Sequence, residues 1–249
     1  MNPNMSRIEP ILLTTVPILA SLHGEPLTNA SGFFFERDGR LFLVTSKHVF
    51  FDEPSNHYPD SIEIELHTDE NILAISSRFS IPLYESGKST WRQGEDSAGD
   101  IDVAVIELNR DALPDTIVYR AFSPHHIIGT LDKVEVGTAL LIVGYPLGFH
   151  DTLHHMPVVR QAVIASSFGL RFQGEGFFLT DARTHRGTSG APILARAPEP
   201  DESLGDLQWQ LLGVHSARLD IGTRDLELDE ALGLNCAWYA DILLTLTDM

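Results

Sequence analysis

Apolar residues in this chain come in short runs, and where they alternate they do so with period two. Ile62-Glu63-Ile64-Glu65-Leu66 alternates strictly, the signature of a strand with one face buried. Phe33-Phe34-Phe35 and residues 41–45, 103–108 and 140–143 are short apolar runs bounded by polar residues or glycine. Asp38-Gly39 lies between the first two of these, and that dipeptide between apolar runs predicts a hairpin. Further strands are expected over 158–165, 176–180, 192–195, 211–215 and 232–237. Residues 11–22 read as the first strand rather than a leader, because Thr14, Thr15 and Pro17 interrupt the run and only Arg7 precedes it as a basic residue. Short strands with recurrent turn signals predict an all-β sandwich or barrel. One helix is expected, near the C-terminus over 238–246. Polar segments 52–60, 85–100, 196–206 and 218–230 read as surface loops. Ser123-Pro124-His125-His126 interrupts the strands, so the break between halves is expected within 118–130.

Length and charge narrow the function. A chain of 249 residues fits one large domain, or two subdomains sharing a cleft. Its 17 basic and 35 acidic residues leave a net charge of −18, which argues against nucleic acid as a partner, since phosphate contacts need Lys and Arg. No run approaches the roughly 18 apolar residues of a membrane span. The single cysteine, Cys236, excludes an intrachain disulfide and reads as a buried core thiol. Together these point to a cytoplasmic protein.

The candidate chemistry centres on one serine. Gly187-Thr188-Ser189-Gly190-Ala191-Pro192 surrounds Ser189 with small residues. Glycines there permit a tight backbone course that aims successive N–H groups at one point, as an acyl-transfer oxyanion requires. The amides of Gly187 and Ser189 are the natural pair. Val44-Thr45-Ser46-Lys47-His48-Val49 places His48 at the end of an apolar strand. Asp102 opens Asp-Val-Ala-Val-Ile-Glu-Leu; an acid at the mouth of a buried strand needs a partner, and a histidine N–H would supply one. Asp100 competes for that role. His154-His155 and His125-His126 lack a nearby Cys or the His-Glu-x-x-His spacing of a zinc site, so they read as surface or loop histidines. No cofactor or metal is expected. Trp91 reads either as a partner contact or as an anchor packed on the barrel.

In order, Ser31-Gly32-Phe33-Phe34, the His48 segment, Asp102-Val103-Ala104-Val105, Gly144-Tyr145-Pro146-Leu147-Gly148, Thr180-Asp181-Ala182, the Ser189 segment and Leu212-Gly213-Val214-His215 resemble the trypsin-like (chymotrypsin-fold) serine peptidases, especially bacterial Htr/Deg-type and glutamyl endopeptidase-type enzymes. The resemblance implies two six-stranded antiparallel Greek-key β-barrels, residues 1–122 and 123–249, with the active site between them. It implies Ser189 as nucleophile, His48 as general base, Asp102 as the group that orients the imidazole, and Gly187 and Ser189 amides as the oxyanion hole. The strand around 214–217 would pair with a peptide substrate.

Departures from the family matter too. Thr188 stands where trypsin has the aspartate that captures a newly cut N-terminus, so that activation switch is missing. Htr-type proteins add a peptide-binding domain; this chain reads as a peptidase module alone. Thr184, His215 and Ser216, with Arg183 beside them, admit an acidic P1 pocket like that of the glutamyl endopeptidases; a pocket for small or apolar P1 residues is the competing reading. Other functions stay open as alternatives: a silent or partner-activated module, or an esterase on the same machinery. An always-active cytoplasmic peptidase would be hazardous, so narrow specificity, a closed cleft or an activating protein partner is expected.

Overall fold

The computed structural model describes residues 8–128, 134–216 and 233–248. The expected loop 218–230, and the ends of three expected segments at Thr130, Ala217 and Leu232, lie outside the described residues.

The first half contains β1 (Thr15–Leu22), β2 (Glu25–Arg37), β3 (Arg40–Thr45), the helical turn α1 (Lys47–Phe50), β4 (Ser61–His67), β5 (Ser76–Pro82), β6 (Tyr84–Glu85), β7 (Lys88–Ser89), β8 (Trp91–Asp96) and β9 (Gly99–Leu108). The second contains β10 (Ala139–Gly144), β11 (Val158–Ile164), β12 (Phe177–Asp181), β13 (Pro192–Arg196), β14 (Trp209–Ser216), β15 (Leu234–Tyr239) and α2 (Ile242–Leu246). The second half is a closed six-stranded antiparallel barrel in the order β10-β11-β12-β15-β14-β13, a Greek-key path.

The first half departs from six strands in an instructive way. Seven strands pair in the order β5-β4-β1-β2-β3-β9-β8. Yet β5 and β8 belong to one run of chain, 76–96, interrupted by the small β6–β7 hairpin, across which the Thr90 amide bonds the Leu83 carbonyl at 3.0 Å. The run holds the edge of β4 at one end and of β9 at the other. The path β1-β2-β3-β9-(76–96)-β4 therefore returns to β1, which pairs with β4.

This also corrects the expected loop at 85–100. Its polarity reflects an exposed strand face: β8 pairs with β9 along Trp91–Ile106, Arg92–Val105 and Gln93–Ala104. Trp91 is a packing residue, its ring 5.7 Å from that of Phe50. The C-terminal helix is shorter than expected because Trp238 is still in the β15 ladder, opposite Phe177 and Val214. The first strand begins after a 3-10 turn at Pro10–Leu13.

Phe33-Phe34-Phe35 shows why some runs are apolar without alternation. Phe34 packs into the interior of the first half, with Leu41, Leu43, Ala104 and Ile106. Phe33 and Phe35 face the other way, into a cluster shared with Val143, Leu179, Leu194, Leu211 and Val214 of the second half. Both faces of the strand are buried, so both parities must be apolar. Leu41–Val44 and Val103–Ile106 divide in the same way. A third cluster, around Ile142, Ile164, Phe178 and Ile193, fills the closed barrel. The two halves therefore join through a continuous apolar core, and the candidate site lies at its edge.

Candidate active site

His48 does not end a strand. β3 stops at Thr45, Ser46 stays extended, and His48 falls in the single turn α1, anchored by buried Val49 and Phe50. That turn brings its imidazole back onto β9. His48 Nδ1 lies 2.7 Å from Asp102 Oδ2, and the His48 backbone N–H donates to Asp102 Oδ1 at 2.9 Å. Ser216 Oγ donates to Asp102 Oδ2 at 2.7 Å. Both ring and carboxylate are largely covered, with side chains 20% and 18% exposed. Burial works against the ionised carboxylate, but the His48 charge and the hydrogen bonds from His48 and Ser216 outweigh it, so Asp102 titrates below the usual carboxylate range. The rival Asp100 pairs with Lys47 Nζ at 2.6 Å and is half exposed.

Ser189 is 7% exposed, in a loop whose peptides can be accounted for one by one. The Thr188 amide donates to His185 O at 3.1 Å, Gly190 to His215 O at 2.9 Å and Ala191 to Thr188 O at 3.0 Å. The amides of Gly187 and Ser189 donate to no acceptor among the described residues. Ser189 Oγ also has no hydrogen-bond partner among them.

Two glycines make the loop possible. Gly187 has φ +89°, and a Cβ there would sit 2.5 Å from the Tyr145 carbonyl oxygen. Gly190 has φ +83°, and a Cβ would overlap Thr45 Oγ1 and the Ser31 carbonyl. The second contact matters for assembly, because Thr45 ends the strand that leads to His48.

Ser31 joins the halves from the other side. Its N–H donates to Ser189 O at 2.9 Å, and its Oγ donates to Gly187 O at 2.8 Å while accepting from the Tyr145 amide at 2.9 Å. The His215 carbonyl also bridges them, taking Ser46 Oγ at 3.2 Å besides the Gly190 amide.

The pocket candidates are placed differently from one another. Arg183 is exposed. Thr184 donates its hydroxyl to Asn235 Oδ1 at 2.6 Å, and Asn235 Nδ2 holds the Ala182 carbonyl at 2.8 Å. Ser216 turns to Asp102, so its side chain supports the imidazole's partner. His215 is 0% exposed, on the barrel-interior side with its cross-strand partner Ala237, and neither ring nitrogen has a hydrogen-bond partner among the described residues. Burial first, and the neighbouring His48 second, push its pKa down to about 3. Asn235 was not legible as a site residue, because nothing local marks it; only the β12–β15 pairing brings it near Thr184.

The remaining candidates resolve simply. Cys236 is buried, and burial raises its pKa to about 12. His126 is buried rather than at the surface: its ring accepts the Ser123 amide at 3.0 Å and packs on Phe122. His154 pairs with Asp151 at the surface, whereas His155 is half-buried beside Glu65. Among the described residues no cluster of three His, Cys, Asp or Glu is placed to hold a metal ion, and no helix is long and apolar enough to cross a membrane.

Comparison with known proteins agrees with this architecture. A model of the trypsin-like peptidase domain matches residues 30–199, and the chain belongs to that family. A serine endoprotease from Yersinia pestis superposes with a TM-score of 0.53 at 16% identity, over 95% of this chain and 62% of that one. The active form of the Rv3671c protease from M. tuberculosis superposes with a TM-score of 0.50 at 15% identity, over 96% of this chain and 82% of that one. At such identities the likeness is one of fold, and the chain spans less than two thirds of the Yersinia enzyme. No curated protein matches by sequence. Family and fold together place the chain among the trypsin-like peptidase domains.

Proposed function

We propose that the chain is a serine endopeptidase that works through an acyl-enzyme. The observation that carries this reading is the His48–Asp102 pair at 2.7 Å, tied by backbone hydrogen bonds to a serine loop with two undonated amides. His48 Nε2 takes the Ser189 Oγ proton as the oxygen attacks the scissile carbonyl. Asp102 keeps the proton on Nδ1 and stabilises the imidazolium as it forms. The Gly187 and Ser189 amides receive the oxyanion. His48 then returns its proton to the leaving amine, and water repeats the sequence on the ester.

The pocket residues favour small or apolar P1 side chains over acidic ones. Thr184 spends its hydroxyl on Asn235 and buried His215 stays neutral, so neither offers a carboxylate a charged partner, and Arg183 is exposed to solvent.

A fluorophosphonate probe tests the chemistry. It is expected to add at Ser189 in the native chain and to leave Ser189→Ala unmodified at equal fold stability. A native chain that stays unlabelled would favour the silent module. A peptide library cleaved with enrichment for Glu or Asp at P1 would reverse the specificity reading.

A further inference from the structure

The turn that carries His48 is too short to hold itself. α1 has four residues, and among its main-chain bonds are Val49 N–H to Ser46 O at 3.1 Å and Phe51 N–H to Lys47 O at 3.0 Å. A helix of that length is far from stable on its own in water. Val49 and Phe50 seat one side of the turn in the core of the first half. Lys47 and His48 reach β9 instead.

On β9 their partners are two residues apart. Asp100 and Asp102 share a face with Ala104 and Ile106, which line the interior of the first half, while Ile101, Val103 and Val105 face the shared cluster. Lys47 Nζ to Asp100 Oδ2 at 2.6 Å and His48 Nδ1 to Asp102 Oδ2 at 2.7 Å are therefore successive rungs between the same two elements. The outer rung is not a loose surface pair. The Lys47 side chain is only 19% exposed, and its Nζ lies 5.8 Å from the centre of the Phe51 ring, within reach of a cation–π contact. Asp100 in turn stands opposite Glu95 across the β8–β9 ladder, and like charges so placed repel. Lys47 is thus set against an acidic strand end, two residues from the carboxylate that His48 needs.

We infer that the Lys47–Asp100 ion pair is a clamp that registers His48 on Asp102, with both members positioning residues that touch no reacting atom. This rests on the peptidase reading above. An exposed ion pair adds little to stability, so the effect of this one falls on the aim and the charge of the imidazole. The pair is neutral as a unit; once it is broken, His48 feels whichever charge remains. The other groups around His48 are Asp102 on β9, His215 and the Ser216 hydroxyl on β14, and His57 across the turn, whose Nε2 lies 3.1 Å from the Val49 carbonyl. None of them is altered in the variants that test the clamp.

The test reads kcat/KM for a peptide amide substrate against pH in two variants of nearly native shape. Lys47→Met keeps the stem beside Phe51 and leaves Asp100 unpaired. Asp100→Asn leaves Lys47 unpaired. Each should lower the plateau about 3- to 10-fold, as expected of a base displaced by a fraction of an ångström. The acid limb, where the base becomes protonated, should rise by about half a pH unit in Lys47→Met, because the freed carboxylate favours the imidazolium, and fall by about as much in Asp100→Asn. In the double variant the limb should return to its native position, with a plateau no lower than in either single variant, since one interaction is lost in all three. A native plateau in both single variants, or acid limbs that stay put or move the same way, would overturn the clamp. If Lys47→Met fails to fold, Asp100→Asn at its half-exposed position decides alone: a lowered plateau with a lowered limb upholds the clamp, and any other result overturns it. A native chain that fluorophosphonate leaves unlabelled at Ser189 would overturn the peptidase reading beneath it, so the two failures are distinguishable.

Discussion

The two halves of the site are built by different means. The first half supplies His48 and Asp102, which are fixed by side chains: a carboxylate held by an imidazole, a hydroxyl and one amide. The second supplies Ser189 and its neighbours, fixed almost wholly by main-chain bonds and by glycines that admit close approach. A charge relation fails when one atom changes identity. A backbone relation fails when the chain is forced aside. Substitutions that change an atom's identity should therefore act on rate, and those that force the chain aside should act on folding.

The largest effect is expected on the side-chain half. Asp102→Asn keeps the shape but stabilises the wrong imidazole tautomer, and kcat should fall about 10,000-fold. A loss below about tenfold would mean that Asp102 does not govern His48. On the backbone half, Gly190→Ala drives a Cβ into Thr45 Oγ1 and the Ser31 carbonyl. It should destabilise the chain by about 4 kcal/mol or more, near the severe end for single substitutions, as read by urea unfolding. Native-like stability would show that the loop can move away, and the contrast between the halves would dissolve.

Next comes the core between them. Phe33 is 0% exposed and lies in the shared cluster, with its ring 5.8 Å from that of Phe122. Phe33→Ala should cost about 3–5 kcal/mol, and a single cooperative transition should persist if the halves unfold as a unit. Two separated transitions would show that each half stands alone.

The smallest effect is a pH dependence. His215 titrates at about 3 when folded and at 6.5 ordinarily. Between those values the unfolded chain binds a proton that the folded chain refuses, so stability falls as pH drops below about 6.5. Burial lowers the pKa of His67 and His126 as well, with the same sign. Asp102 adds a loss at still lower pH, where its depressed pKa is finally reached. The urea midpoint should therefore fall from pH 7.5 to pH 5, and less steeply in His215→Val. Equal slopes in the two proteins would remove His215 from the account.

The same contrast explains what the sequence made legible. Alternation at Ile62–Leu66 became β4, and Asp38-Gly39 became the turn between β2 and β3. His48, Asp102 and Ser189 could be picked out because each is a reactive side chain in a recognisable setting. The polar strand β8 was hidden, since its one buried position is Gly94 and the rest of its residues after Trp91 are polar. Ser31 was visible only as part of a motif. Its work is done by an N–H and a hydroxyl toward residues more than a hundred positions away, and no local pattern announces such partners.

The bonds that cross between Ser31 and Ser189, and the seat of Gly190 against Thr45, bear on how the protein is born. A ribosome delivers the first half with His48 and Asp102 long before Ser189 emerges. Until the second barrel closes and docks, the serine loop lacks the surface that shapes it. On the peptidase reading, the site is therefore complete only once the second barrel has closed and docked.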